Sequence, residues 1–206
     1  STHREVKPVT QSATPHSTLT PAELRTRIRH GEWQESTTGG SCLGFIQANL
    51  LILPAKEAAG FAEFCAQNPA PLPLLEHTEP GVPDQLTIAP GADIRTDLSG
   101  YHIHRKGEFD AEVSSIEHLW QPDHVAFLIG CTYSADGALL EAGVHLRHIE
   151  LGQAPPVFIT SVPCTPVGGF HGPVVMSMRP IREEQIPLVV DITRQYPLAH
   201  GALMHI

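Results

Sequence analysis

The fold of this chain is decided by the stretch Val125-Ala126-Phe127-Leu128-Ile129-Gly130-Cys131-Thr132-Tyr133-Ser134-Ala135-Asp136-Gly137-Ala138-Leu139-Leu140-Glu141-Ala142-Gly143. Its first part is an unbroken apolar run with β-branched residues at both ends, which is typical of a strand covered on both faces in the middle of an α/β sheet. Its second part predicts a helix, with Ser134 as the N-cap, Asp136 in the first turn and Gly143 at the end.

The turn between this strand and this helix is the first candidate site. A helix that starts directly after a strand presents unpaired backbone N–H groups and the positive end of its dipole at one spot, where an anionic ligand is stabilised. The side chains of Cys131, Thr132 and Ser134 would border that spot. The alternative is an ordinary strand-to-helix turn, because a single glycine with neighbouring hydroxyls is a weak motif.

Composition indicates a globular body that mixes helices and strands. With 206 residues, 41% of them hydrophobic, the chain can bury a core as one domain or as one domain with a small second lobe. Only 17% of the residues are charged, and 19 prolines and 17 glycines favour a loop-rich α/β body over a helical bundle.

Charge and hydropathy exclude two classes of partner. The formal net charge is −9, and the 13 lysines and arginines form no basic run, so we expect no nucleic-acid binding. The apolar runs are shorter than a membrane span and no signal peptide is apparent, so we expect no membrane association. These features predict a soluble cytoplasmic protein, or one of the mitochondrial matrix if the source is eukaryotic.

The motifs require no cofactor, and the sequence leaves a divalent metal open. The four cysteines, at positions 42, 65, 131 and 164, have no spacing typical of a disulfide framework or a zinc site, so we expect reduced thiols. His102 and His104 share one face of a predicted strand, but no third metal ligand can be assigned. No nucleotide fingerprint is present, which makes a nucleotide or steroid enzyme a distant alternative.

Start and stop signals place the other elements. Residues Ser1 to Thr18 have almost no apolar content, so they predict a flexible leader whose removal leaves the melting temperature unchanged. A capping box at Thr20 to Glu23 starts a helix that runs from Pro21 to about His30. Further helices are predicted over Lys56–Asn68 and Pro187–Tyr196, and strands over Leu72–Glu76, Tyr101–Arg105, Val144–Ile149, Val157–Cys164 and Pro173–Pro180.

Polar side chains stand at several places where a ligand could bind. Arg95 lies between two aspartates, which could pair with it and complete the loop, or could hold it in position to bind a carboxylate ligand, and both can hold at once. Asn49 interrupts an apolar run, where it either bonds a neighbouring loop or faces a polar substrate. His171 lies in a glycine-flanked loop, and Arg179 ends a predicted strand.

Six segments carry a family resemblance: Gln47–Pro54, Phe64–Pro69, Gly91–Leu98, Phe127–Cys131, Ser177–Pro180 and His200–Gly201. Together they resemble the D-glutamate cyclase family of hydro-lyases, in collinear order from Thr20 to Ile206. The resemblance implies an α/β fold, with a mixed sheet and helices on its faces in a three-layer body, plus a smaller two-layer α+β lobe. It also implies conversion of D-glutamate to 5-oxo-D-proline with loss of water, a step of D-amino acid metabolism.

This chain departs from the family pattern in three places. The family usually reads Cys-Ser-Phe-Ser-Phe-Glu where this chain has Cys131-Thr132-Tyr133-Ser134-Ala135-Asp136, which keeps the hydroxyls and shortens the acid. It usually reads Tyr-Arg-Thr-Asn where this chain has Phe158-Ile159-Thr160-Ser161, so an arginine and an amide are replaced. The family also continues past His200-Gly201, so the domain predicted over residues 19–206 is expected to be either C-terminally truncated or diverged.

The implied reaction sets what the site must contain. Lactam formation needs a cation that fixes the substrate carboxylate, a base that frees the amine, and donors that stabilise the oxygen of the γ-carboxyl group. Arg95 or Arg179 is predicted to hold the carboxylate. His171 or Asp97 is predicted to move protons.

The turn after the central strand supplies the remaining roles. Its amides, with Thr132 and Ser134, are predicted to stabilise the oxygen, and Cys131 is either a nucleophile or an inert buried thiol. Asn49 and His200 are assigned to substrate binding. We expect these segments to converge on one cavity, because ligands of α/β sheets bind outside the carboxyl ends of the strands.

Other readings of the same residues stay open. In one alternative, the two arginines serve only as partners of neighbouring aspartates or of a terminus, and no shared cavity forms. The expected partner is a small carboxylate substrate, and a homo-oligomer is left open. The functional alternatives are a family relative that acts on another small amino or keto acid, and a non-catalytic protein that binds small acids or forms a complex.

Overall fold

The fold is described here from a computed structural model, which describes residues 19–205. The predicted leader, Ser1 to Thr18, lies outside the described residues. The helices are α1 (Pro21–Arg29), α2 (Ala55–Gln67), α3 (Asp136–Glu141), α4 (Arg147–Glu150) and α5 (Ile186–Arg194). The strands are β1 (Ala48–Pro54), β2 (Leu74–His77), β3 (Tyr101–Arg105), β4 (Glu108–Val113), β5 (His124–Gly130), β6 (Val157–Pro163) and β7 (Pro173–Ser177).

The central element is β5, the middle strand of a three-stranded sheet with the order β1-β5-β2. β1 pairs with it along its whole length, from Ala48 opposite Gly130 to Pro54 opposite His124. β2 pairs antiparallel on the other side, with an irregularity between Leu74 and Glu76. With hydrogen bonds on both edges and burial from residue 125 to residue 130, β5 is the covered strand that its apolar run predicts.

The two faces of β5 are covered by different structures, because alternate side chains of a strand point in opposite directions. On one face Phe127 packs edge-on against Phe61 of α2, with ring centroids 4.9 Å apart. On the other face Leu128 packs with Leu86 and Ile94, which belong to the connection between β2 and β3. Phe127 is only 1% exposed, and burying such a side chain stabilises a fold by about 1.5–3 kcal/mol.

The α/β fold class predicted from the sequence is confirmed. Every strand pairing among residues 19–205 is antiparallel, in the central sheet and in the two hairpins β3–β4 and β6–β7. A helix covers one face of the central sheet and a loop segment covers the other, so a strand buried on both faces does not require parallel neighbours here. The division into a three-layer body and a two-layer lobe stays a prediction. Within the described range, no helix is long and apolar enough to cross a membrane.

Most of the predicted elements are confirmed, since their local signals are complete. α1 begins with the predicted capping box, in which Thr20 accepts a hydrogen bond from the Glu23 amide and the Glu23 carboxylate accepts one from the Thr20 amide. α2 and α5 lie within about a residue or two of their predicted bounds. The predicted strands at β2, β3, β6 and β7 also form.

The predicted strand over Val144–Ile149 is wrong. Val144 and Leu146 are each 1% exposed and alternate with exposed residues, which imitates the pattern of a strand. They instead pack with Leu139 of α3 and Val189 of α5 in a hydrophobic core separate from the two faces of β5. No strand of the described chain pairs with this segment, and its last residues turn into α4.

Candidate active site

The turn after β5 is fixed by the loop that precedes β1. The Cys131 amide donates to the Gln47 carbonyl at 3.0 Å, and the Gln47 amide donates to Ser134 Oγ at 2.9 Å. Because its hydroxyl is used in this way, Ser134 does not cap α3 as predicted. The chain forms a 3-10 helix, Thr132–Ala135, before α3 begins. Ser134 is buried, with 7% of its surface exposed, and its hydrogen bond with Gln47 holds the turn in place.

A second contact closes the end of β5. A β-carbon built on Gly130 would lie 1.7 Å from the carbonyl oxygen of Leu198, so only glycine fits at this position. Leu198 belongs to a 3-10 helix, Pro197–Ala199, that packs against the 3-10 helix of the turn. This close approach brings the C-terminal part of the described chain to the carboxyl end of the central strand.

Arg179 lies against the turn and is held in one position. Its Nη2 donates to Thr132 Oγ1 at 2.9 Å and lies 3.5 Å from Asp136 Oδ1, while Nη1 donates to Ser177 Oγ at 2.9 Å. These bonds leave other N–H groups of the guanidinium unused. One of them, the buried Nε–H, has no hydrogen-bond partner among the described residues. Arg179 is therefore a fixed cation, with a side chain 15% exposed, that retains donors for a ligand.

A fully buried carboxylate lies beside this cation. Asp136 has no exposed surface, and its Oδ2 lies 2.9 Å from His148 Nε2 while Oδ1 faces Arg179. The ring of Tyr133 stacks on His148 with centroids 5.9 Å apart and also lies 5.9 Å from Arg179 Cζ. Because a buried carboxylate is stable only when it is paired, these groups form one electrostatic unit. We call it the Arg179 cluster, defined by Thr132, Tyr133, Asp136, His148, Ser177 and Arg179.

Cys131 borders the cluster as a protonated thiol. Burial raises the pKa of Cys131, and the hydrogen bond from the Tyr133 amide and the charge of Arg179 offset this only in part. The side chain of Asn49, on β1, also lowers the pKa of Cys131, but its effect is the smallest of these. Burial likewise raises the pKa of Tyr133. A thiol with a raised pKa is a poor nucleophile near neutral pH.

Comparison with known proteins places this arrangement in a family. The family model described as D-glutamate cyclase matches residues 125–206, which contain the turn and the Arg179 cluster. A protein of Stutzerimonas stutzeri named "Putative hydro-lyase" is 47% identical over 193 residues, which are 94% of this chain and 72% of that protein. The chain belongs to the D-glutamate cyclase family of hydro-lyases. A relative of the same name from Rubrobacter xylanophilus is 45% identical over 90% of this chain and 71% of its own length.

In this member of the D-glutamate cyclase family, the structure does not bring Arg95 or Asp97 to the turn. Arg95 donates to Asp93 through Nε at 2.9 Å and Nη2 at 2.6 Å, and this hydrogen bond holds the pKa of Asp93 below its usual value. Asp97 accepts from the guanidinium of Arg29 and from the Asp93 amide. Neither residue contacts the turn or Arg179 within the described chain. The alternative reading, arginines paired with neighbouring aspartates, therefore describes Arg95.

The two predicted histidines also lie apart from the Arg179 cluster. His171 is exposed and has no hydrogen bond or ion pair within residues 19–205. His200 follows the 3-10 helix that packs on the turn, but its Nδ1–H donates to the Ala70 carbonyl at 2.9 Å. Convergence of the four loops on one cavity therefore stays a prediction. Of the arginine and histidine candidates, Arg179 alone hydrogen-bonds a residue of the turn within residues 19–205.

Sequence reasoning missed the acid and the histidine of the cluster. The sequence indicates Asp136 only as a favourable charge in the first turn of a helix, and it places His148 within a predicted strand. The alternation of Val144, Leu146 and His148 does indicate that His148 is buried, and a buried histidine needs a polar partner. Nothing local identifies Asp136, twelve residues earlier, as that partner.

A metal centre is not assembled from the described residues. Between residues 19 and 205, no group of three or more histidine, cysteine, aspartate or glutamate side chains is arranged to hold a metal ion. The four cysteines are free thiols, and Cys42 and Cys65 are buried. The candidate site itself offers a fixed guanidinium, a carboxylate–imidazole pair and the polar groups of the turn.

Proposed function

We infer that this chain is a hydro-lyase that converts D-glutamate to 5-oxo-D-proline, with Arg179 as the residue that holds a carboxylate of the substrate. The observation that carries the proposal is the state of the guanidinium. It is fixed by Thr132, Ser177 and Asp136, and it keeps a buried Nε–H without a partner. Unpaired buried donors are rare in folded proteins, and a bound carboxylate would satisfy this one.

The reaction needs a fixed cation more than it needs a covalent intermediate. The substrate amine attacks the carbon of the γ-carboxyl group, a C–N bond forms, a C–O bond breaks, and the oxygen leaves as water with two protons from the ammonium group. The α-carboxylate is unchanged throughout, so we assign it to Arg179. Binding it there orients the amine and the γ-carboxyl group for an intramolecular attack, in which correct positioning supplies much of the rate.

Membership of the family supports the general reaction class, and the geometry supports a small acidic substrate. The cluster offers one cation with unused donors beside a histidine, which suits a compact molecule that carries a carboxylate and an ionisable amine. Cys131 is assigned no covalent role, because its thiol is protonated and the cyclisation requires none. A different small amino or keto acid would use the same arginine, and it is the second candidate substrate class.

The test is a turnover assay on the full chain, followed by proton NMR. The protein is incubated with D-glutamate, and separately with L-glutamate and a panel of other small amino and keto acids, with and without a divalent metal. We expect 5-oxo-D-proline from D-glutamate and far slower reaction of L-glutamate. Turnover of another acid, without turnover of D-glutamate, would show that this acid is the substrate. No turnover of any acid would remove the enzymatic proposal.

A further inference from the structure

We propose that Asp136 and His148 form the proton-transfer pair of this site, in which Asp136 holds His148 with its proton on Nε2 and leaves Nδ1 to accept a proton from the substrate ammonium group. This inference rests on the proposed function for its substrate. The assignment of the ring nitrogens rests on geometry alone and can be measured without any substrate.

The position of the proton on His148 follows from the state of Asp136. The carboxylate is completely buried, and its Oδ1 lies 3.5 Å from the guanidinium of Arg179, the cation with which it pairs. An ionised carboxylate only accepts hydrogen bonds. The 2.9 Å contact between Asp136 Oδ2 and His148 Nε2 is therefore a bond that Nε2–H donates. Nδ1 is left as the nitrogen that gains and loses a proton.

Nδ1 of His148 is free to take part in chemistry. It has no hydrogen-bond partner among the described residues. It is also absent from the buried, unpaired side-chain atoms of the described chain, which are Trp33 Nε1 and Arg179 Nε. The His148 side chain is 7% exposed, so a small part of it reaches the surface. An imidazole that is oriented by a buried acid through one nitrogen, and has no partner at the other within residues 19–205, has the arrangement of a general base.

The charged and titratable groups around His148 come from three neighbouring elements. Asp136 of α3 faces Nε2, the ring of Tyr133 stacks on the imidazole, and Arg179 lies on the far side of Asp136. On α4 itself, Arg147 pairs with Glu150, and both are largely exposed. Asp136 is therefore the only carboxylate, in the described chain, that contacts the ring.

The pair completes the reaction without a co-reactant. Nδ1 takes one proton from the ammonium group, and the free amine attacks the γ-carboxyl carbon. The imidazolium gives that proton to one carboxyl oxygen, then accepts the second proton from nitrogen and delivers it to the same oxygen, which leaves as water. The lactam keeps the third proton of the original ammonium group, and His148 ends in its starting form. Asp136 acts here as a positioning residue that does not change its own protonation.

The test combines a matched substitution with a spectroscopic measurement. In His148→Gln the side-chain amide still donates to Asp136 in place of Nε2–H, but the ring nitrogen that accepts the substrate proton is gone. We expect a melting temperature and a KM close to those of the unmodified chain, and a kcat lower by about 10²–10⁴-fold, the usual contribution of a general base. The control is His145→Gln, since the His145 side chain is 68% exposed and, within residues 19–205, pairs with Glu150 alone. A kcat that survives in folded His148→Gln would overturn the proposal.

Long-range proton–nitrogen NMR of the histidine rings tests the pair separately from the reaction. We expect the His148 ring to carry its proton on Nε2 in the unmodified chain and to lose that preference in Asp136→Asn. A proton on Nδ1 in the unmodified chain would contradict the assignment. If D-glutamate is not turned over, the proposed function fails, while the NMR result still decides whether Asp136 orients His148.

Discussion

The carbonyl oxygen of Leu198 occupies the space beside the α-carbon of Gly130, where a β-carbon would approach it to 1.7 Å. This contact joins the last 3-10 helix of the described chain to the end of the central strand. Because the obstructing atom belongs to the backbone, a rotamer change cannot relieve the clash. The turn that carries Cys131 and Thr132 starts at the next residue, so the contact also sets where the candidate site begins.

We predict that Gly130→Ala destabilises the protein strongly. Overpacking of this kind costs about 1–3 kcal/mol or more, which is roughly 2–12 °C in melting temperature for a domain of this size. The measurement is thermal unfolding followed by circular dichroism. The matched control is Gly169→Ala, since a β-carbon there would meet nothing within 4 Å. Equal melting temperatures for the two variants would show that Leu198 does not lie where we describe it.

Asp97→Asn is predicted to affect stability and not catalysis. The Asp97 side chain is 2% exposed and accepts hydrogen bonds from Arg29, Thr96 and the Asp93 amide. Weakening such a buried acceptor should cost about 1–3 kcal/mol in the free energy of unfolding. Urea denaturation measures this, and kcat is measured on the folded fraction. For comparison, Asp110→Asn removes an exposed pair with Arg105 and should change little. A lost kcat at unchanged stability would return Asp97 to the site.

The free energy of unfolding should decrease above about pH 9, because two core residues resist ionisation. Burial raises the pKa of Cys65 from 9.0 to about 11, and burial raises that of Tyr101 as well. A group whose pKa is higher in the folded state than in the unfolded state stabilises the fold fully at pH values below its unfolded-state pKa. This contribution is lost as the pH rises through its folded-state pKa. Urea titrations across this range measure the decrease. Cys65→Ala should be less stable at neutral pH but should show a shallower decrease, and an unchanged slope would contradict this origin.

Thr132→Val is predicted to weaken substrate binding while leaving the fold intact. The substitution keeps the shape of the side chain and removes the oxygen that accepts from Arg179 Nη2 at 2.9 Å. Loss of one such bond costs about 1 kcal/mol, so KM for D-glutamate should rise roughly fivefold. The control is Thr26→Val, since the Thr26 hydroxyl donates to the Ala22 carbonyl within α1. If KM is unchanged in Thr132→Val, the orientation of Arg179 does not depend on this hydroxyl.

The sequence predicts those elements whose signals are local. The capping box at Thr20 predicts where α1 begins, and the apolar run predicts β5. The proline just after α5 predicts where that helix ends. The strand predicted over Val144–Ile149 is wrong for the opposite reason. Its alternating burial comes from packing against α3 and α5, and no local signal distinguishes that from a sheet.

The site shows the same division between local and long-range information. Arg179 and Thr132 could be selected as candidates because each follows a strand, and the structure brings them into contact. Arg95 satisfies an equally good local pattern, but the adjacent Asp93 takes up its guanidinium. The pairing of Asp136 with His148 depends on how α3 and α4 fold together, so it becomes visible only in three dimensions.

The central claim is that Arg179 holds the carboxylate of the substrate, and calorimetric titration of D-glutamate into the protein tests it most directly. Arg179→Lys keeps a positive charge beside the buried Asp136 but removes the planar fork that binds a carboxylate through two donors. We expect its affinity for D-glutamate to fall at least about tenfold, roughly 1.4 kcal/mol, at an unchanged circular dichroism spectrum. Arg95→Lys, the matched control, should bind as the unmodified chain does. Undiminished binding by a folded Arg179→Lys would contradict the account.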